Sequence, residues 1–265
     1  MHSPWLAFFT LPLLAAPAEV ALRGRMEAFK GSGDWMEAQL RYRLDPARTA
    51  MVLCDMWDRH WCGGATSRVA VLAGKMQTVV EAARAKGILI IHAPSDTMDF
   101  YKDYPQRQAI LRISHVEPPA QKQIDAPPLP IDDSGGGCDT EGDKAYKAWT
   151  RQHASIRIAG PDLISDNGVE IYSALKSRGI DTILVAGVHT NMCILNRSFA
   201  IKQMTKWGLK CILLRDLTDA MYSPKDRPYV SHEAGTELVI QHIEKYWCPT
   251  ALSSDLVQAL KTAGK

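Results

Sequence analysis

The chain has 265 residues, 46% of them hydrophobic and 23% charged, with a formal net charge of +2. That length supports one large domain with a full core, and the composition is ordinary for a globular protein. No basic tract and no aromatic-basic interleaving occurs, so neither nucleic acid nor a charged membrane surface is an expected partner. A small molecule is.

Trp5 to Leu14 is an almost wholly apolar run followed by the small-x-small triplet Ala16-Pro17-Ala18. It is shorter than the ~20 residues of a membrane span and has the form of a signal-peptide core. The reading is a signal peptide over residues 1–18 and export to the periplasm or beyond. The alternative is an apolar arm packed on a cytoplasmic domain. Residues 19–48 read as an amphipathic, polar-rich lead-in, and residues 49–265 as the domain proper.

From there apolar strands alternate with helical segments. Ala50 to Asp55 reads as a first strand, and Ser67 to Lys86 as a helix with apolar residues at 69, 72, 76, 79, 80 and 83, stopped by Gly87. Ile88 to His92 is a second strand. The segment 116–142, with Pro118-Pro119, Pro127-Pro128, Pro130 and Gly135-Gly136-Gly137, breaks the rhythm and reads as a long loop, either a solvated insertion or a functional one. A short third strand is predicted at Ser155 to Ala159, a helix at Gly168 to Arg178, and a fourth strand at Thr182 to Gly187. A helix from Cys193 to Trp207, a fifth strand at Leu209 to Leu214, a helix at Glu233 to Tyr246 and a last segment near Cys248 complete the chain. This alternation predicts a three-layer α/β/α fold with a mostly parallel, Rossmann-like sheet of five or six strands. Right-handed crossovers put the strand C-terminal ends on one edge, where ligands bind in such sheets.

Six cysteines in so long a chain are not a small-scaffold disulfide framework. Cys54 and Cys211 lie in apolar runs and read as core thiols. Cys62, Cys138 and Cys248 are free to pair if the protein is exported.

The strand ends deliver Asp55-Met56-Trp57-Asp58-Arg59-His60-Trp61-Cys62, then His92 to Asp96, then His189 and Cys193, then Arg215 to Asp219. Cys193 stands where a buried strand turns into a helix, a position that favours the thiolate and offers backbone N–H groups to an oxyanion. Asp55 at a neighbouring strand end is placed to move a proton. Taken singly, Cys193 also suits a small core position and Asp55 a strand-end cap. Trp57 and Trp61 around Asp58 and His60, with Asp96 beyond the second strand, suggest an aromatic pocket with polar anchors; the plain alternative is tryptophans packed under a loop. Arg215 to Tyr222 suits a structural turn that satisfies backbone groups.

"TAMVLCDMWDRHWC" and "LVAGVHTNMCIL" together resemble the isochorismatase-like cysteine hydrolases, a family that includes nicotinamidases, N-carbamoylsarcosine amidohydrolases and ureidoacrylate hydrolases. The resemblance runs from about Thr49 to Tyr246, with Gly187, Thr190 and Cys193 at the family spacing. It implies Cys193 as nucleophile, Asp55 as proton carrier, a cis peptide at Val188–His189 and an oxyanion hole from the N–H groups of His189 and Cys193. It also implies a homo-oligomer and a thioester route to hydrolysis of an amide-type C–N bond. The family's lysine after the third strand has no counterpart in Ile156 to Ser165, where Arg157 is the nearest cation; His60 or His189 are the other candidates for positive charge. Metal-binding relatives carry Asp-x-His after the second strand. Here the triplet is Asp96-Thr97-Met98, so neither a metal nor any other cofactor is carried over. Two further readings stand beside the hydrolase: an inactive binding protein, motivated by the missing lysine, and a metallohydrolase built on Asp55, His60, His92 and Asp96.

Overall fold

A computed structural model describes residues 17–263. The apolar run at 5–14, on which the signal-peptide reading rests, lies outside the described residues. Among those described, no helix is long and apolar enough to cross a membrane.

The centre is an eight-stranded, mostly parallel α/β sheet, larger than the five or six strands expected. The added strands are β1 (Ala18–Glu27) and β2 (Trp35–Leu44), an antiparallel hairpin in the region read as a lead-in. Its alternating apolar residues are the reason: Ala18, Val20 and Leu22 are buried and extend the core, while the residues between them face outward. Then follow β3 (Thr49–Cys54), α1 (Gly63–Ala85), β4 (Leu89–Ala93), α2 (Met98–Tyr101), α3 (Pro105–Leu111), β5 (Leu163–Ile164), α4 (Gly168–Ser177) and β6 (Thr182–Val188). The chain ends with α5 (Cys193–Asn196), α6 (Ile201–Lys206), β7 (Lys210–Asp219), α7 (His232–Tyr246), β8 (Thr250–Ala251) and α8 (Ser253–Thr262). Strand order is β2-β1-β8-β7-β6-β3-β4-β5.

β3 and β6 are buried along their whole length, which is why both read as unbroken apolar runs. Alternate residues of β3 serve two cores: Ala50, Val52 and Cys54 pack with α4, α6 and α7, while Met51 and Leu53 pack with α1 and α8. All six apolar positions expected to line α1 are buried. Gly187 lets β6 approach β3 just below the site. A Cβ there would lie 1.9 Å from the Cys54 carbonyl oxygen, and φ is 124°.

Two expected elements differ. Ser155 to Ala159 is not a strand, because side chains of α1 take its backbone groups: the Arg157 N–H donates to Gln77, and Arg84 donates to the Arg157 carbonyl. The strand beside β4 is instead β5, two residues long. The helix expected from Cys193 to Trp207 is broken at Arg197, whose backbone is extended (φ −62°, ψ 151°). The next residue, Ser198, is engaged by α4: its Oγ accepts the Gly168 N–H at 3.0 Å.

Candidate active site

β3 is followed directly by Asp55, whose side chain is fully buried and whose φ of 48° is unusual for a residue other than glycine. Such a conformation costs ~1–3 kcal/mol and aims the carboxylate at the sheet edge. Oδ1 accepts the Ser95 N–H at 2.7 Å, and Oδ2 accepts Nε of Arg197 at 2.9 Å. Arg197 also donates Nη2 to Asp96 at 3.2 Å, and its guanidinium carbon lies 6.0 Å from the centre of the Trp57 ring. Thus the cation beside the aspartate comes from the residue that ends the cysteine's own helix. Arg197 is four residues beyond Cys193, and its N–H donates to the Cys193 carbonyl at 3.1 Å. That i, i+4 spacing was the signal available in the sequence.

Arg157, the expected substitute for lysine, is elsewhere. Its side chain is 73% exposed and paired with Glu81 on α1. Nor do His60 and His189 supply charge: burial pushes them down to about 4 and about 3, so both rings are neutral at pH 7.

Burial raises the Asp55 pKa, and Arg197 and Ser95 oppose that rise. Burial also opposes charge on Arg197, but Asp55, Cys193 and Asp96 hold its pKa above the ordinary value. Cys193 is pushed up to about 12, first by burial and then by the Asp55 carboxylate, against the pull of Arg197 and of the His189 N–H. The thiolate expected from the helix start is therefore not the resting form: α5 is only four residues long, and desolvation with an adjacent carboxylate outweighs its end. The cysteine rests as a thiol next to a carboxylate able to take its proton.

The turn between β6 and α5 is held from several sides. The Val188–His189 peptide is cis. The Thr190 N–H donates to the Asp219 carbonyl at 2.9 Å, and the Thr190 hydroxyl lies 2.7 Å from that of Thr218. The Asp219 carboxylate is gripped by Arg68 at 2.9 Å and His232 at 2.8 Å, and Arg215 to Asp219, expected as a turn, instead continues strand β7. Among the described residues, no oxygen acceptor engages the N–H groups of His189 or Cys193. The His189 N–H is turned instead to the Cys193 sulfur.

The aromatic pocket residues divide. Trp57 stacks on Trp149 at 4.2 Å and donates Nε1 to the Ser95 carbonyl, and His60 lies 4.9 Å from the His189 ring. Trp149, which carried no sequence signal beyond being aromatic, is therefore part of this wall. Asp58 is not an anchor, because it accepts the Thr150 N–H, the Thr150 hydroxyl and the Arg151 N–H and so fixes that turn. Trp61 lies against Gly136 of the long loop.

That loop, segment 116–142, is docked on the site. A disulfide joins Cys62 to Cys138 with their Cα atoms 5.7 Å apart, whereas Cys248 is a buried thiol. Asp133 accepts Nδ2 of Asn191 at 2.7 Å, two residues before the cysteine. Gly137 presses on the Met221 carbonyl, where a Cβ would lie 2.1 Å away.

The four residues of the metallohydrolase reading do not converge. His92 is buried with Nδ1 on Gln152 at 2.8 Å and Nε2 on Asp162 at 3.0 Å, and Asp55 is committed to Ser95 and Arg197. Among the described residues the only triad spaced for a metal is Cys62, Cys138 and Asp143, whose two sulfurs form the disulfide.

A cysteine, a buried aspartate and a cation thus meet at the C-terminal edge of a mostly parallel sheet in an α/β protein. The isochorismatase domain model matches residues 49–229, and the chain belongs to that family. Among solved structures it is similar to a cysteine hydrolase from Pseudomonas syringae pv. phaseolicola, with 19% identity over 84% of this chain and 97% of that one, TM-score 0.53. Others are an isochorismatase from Pseudomonas putida (11% identity, 79% and 90% covered, TM-score 0.49) and an isochorismatase family protein from Burkholderia thailandensis (16%, 82% and 97%, 0.48). No curated protein matches the chain.

Proposed function

We propose that this protein is a cysteine-dependent hydrolase of a small molecule, cleaving an amide-type C–N bond through a thioester. Family membership supports a hydrolase. The observation that carries the specific reading is the Cys193–Asp55–Arg197 constellation, in which an arginine just past the cysteine's own helix pairs with the aspartate, the part that the resemblance gives to a lysine. Cys193 Sγ attacks the carbonyl carbon while its proton passes to Asp55. The N–H groups of His189 and Cys193 hold the oxyanion. Asp55 then delivers that proton to the leaving nitrogen as the C–N bond breaks; water next attacks the thioester with Asp55 taking its proton and returning it to the Cys193 sulfur as the C–S bond breaks. Arg197 opposes the rise that burial gives the Asp55 pKa, and as a guanidinium it stays charged while doing so.

A panel of small amides tests this. Cys193→Ser and Asp55→Asn should each lower kcat/KM by ~10²–10⁴-fold, and acid quench of the parent protein during turnover should trap an acyl-Cys193 adduct for mass spectrometry. Activity that persists in both variants would dispose of the mechanism. The raised pKa of Cys193 favours a second reading, a binding protein without turnover. Ligand binding by a member of the panel with no adduct and no product would support it.

A further inference from the structure

β2 forms one outer edge of the sheet, and among the described residues nothing pairs with its free side. The opposite edge strand, β5, is two residues long, and brevity is a common way to blunt an edge. β2 lacks that protection. It is ten residues long, contains no proline, and pairs with β1 without a bulge from Trp35 to Leu44. Its side chains alternate, with Met36, Ala38, Leu40 and Tyr42 on one face and Glu37, Gln39, Arg41 and Arg43 on the other. Met36 and Leu40 are 59% and 43% exposed, and Met26, opposite Met36 on β1, is 59% exposed. An unpaired row of N–H and C=O groups therefore borders an uncovered apolar stripe.

We propose that this edge pairs antiparallel with the same edge of a second copy of the chain, about a twofold axis at Gln39, joining the two sheets into one. The pattern of β2 is self-complementary in that register. Glu37 faces the partner's Arg41, and Arg41 faces the partner's Glu37. On the other face Met36 meets the partner's Tyr42, and Ala38 meets the partner's Leu40. Moving the axis one residue, to Ala38, sets Glu37 against the partner's Gln39 and loses both ion pairs. Arg41 is 84% exposed and bonds Glu19 through Nη1 alone, so its other N–H groups are free for a second carboxylate.

Light scattering on the full chain across a concentration series should give twice the 29.4 kDa chain mass. Glu37→Arg sets Arg against Arg in the dimer, and Arg41→Glu sets Glu against Glu, so each variant alone should be monomeric. Mixed in equal amounts they should form a heterodimer, because every facing pair is again of opposite charge. That rescue cannot come from misfolded chains. A monomeric parent overturns the proposal, as do a dimer indifferent to either variant and a mixture that stays monomeric. A monomer whose β2 amides are slow to exchange hydrogen would show the edge covered by other residues of its own chain, and it too refutes the pairing.

Discussion

Removing Arg197 is the sharpest probe of the site. Arg197→Met takes away the Nε donor 2.9 Å from Asp55 and leaves a fully buried carboxylate with the Ser95 N–H. Breaking a buried ion pair costs ~3–5 kcal/mol when the remaining charge stays ionised. The Arg197 side chain is 31% exposed, so water can reach part of the gap and the expected loss is nearer ~2–4 kcal/mol. For a chain of this size that is on the order of 5–10 °C in Tm. The loss depends on pH with a definite sign. In the variant Asp55 has lost the interaction that opposed its burial, so its folded-state pKa lies further above the unfolded value. A group raised in this way favours folding in its neutral form, below the unfolded pKa, and loses that contribution as pH rises through the folded pKa. The gap between variant and parent should therefore be small near pH 4 and grow as pH rises toward 8. Combining it with Asp55→Asn should cost less than the sum of the two single changes. Thermal melts of the four proteins at both pH values decide the matter, and a pH-independent, additive loss would refute the pairing of these two side chains.

Other expectations follow from the same geometry. With Cys193 pushed up to about 12, its alkylation by iodoacetamide, followed by peptide mass spectrometry, should accelerate about tenfold per pH unit between pH 7 and 10 without a plateau; a plateau near pH 7 would mean a resting thiolate. Reduction of Cys62–Cys138, which are 76 residues apart, should lower stability by up to ~4 kcal/mol in the chain-entropy model, read from melts with and without reductant. Gly187→Ala should cost more than ~3 kcal/mol or prevent folding, since its Cβ meets the Cys54 carbonyl at 1.9 Å, and denaturant titration or soluble yield measures this. Arg157→Ala should change activity and stability little, within ~0.5 kcal/mol, because the charged group it pairs with, Glu81, is on the surface.

The reach of the sequence differs from element to element. β3 and β6 were readable because strands buried on both faces need apolar side chains at every position. The first hairpin was harder to read, since strands at the margin of a sheet carry Arg, Glu and Gln on one face and dilute the period-two signal. Ser155 to Ala159 has the alternation of a strand, but Gln77 and Arg84 occupy its backbone groups, and both are nearly eighty residues away.

The family resemblance joined the two motifs, but local chemistry alone determined that Cys193 follows a buried strand and that Asp55 follows another. Those facts depend on neighbours within a few residues, where chain geometry is nearly the same in any fold. Which cation stands beside Asp55 was decided by tertiary structure. Arg157 and Arg197 are the same residue type, and one points to Glu81 while the other, turned by a break in its helix, points to the buried carboxylate. The charge on the cysteine was decided there too. A helix start by itself favours the thiolate, whereas burial beside Asp55 favours the thiol, and burial is a property of the packed sheet edge rather than of any stretch of sequence.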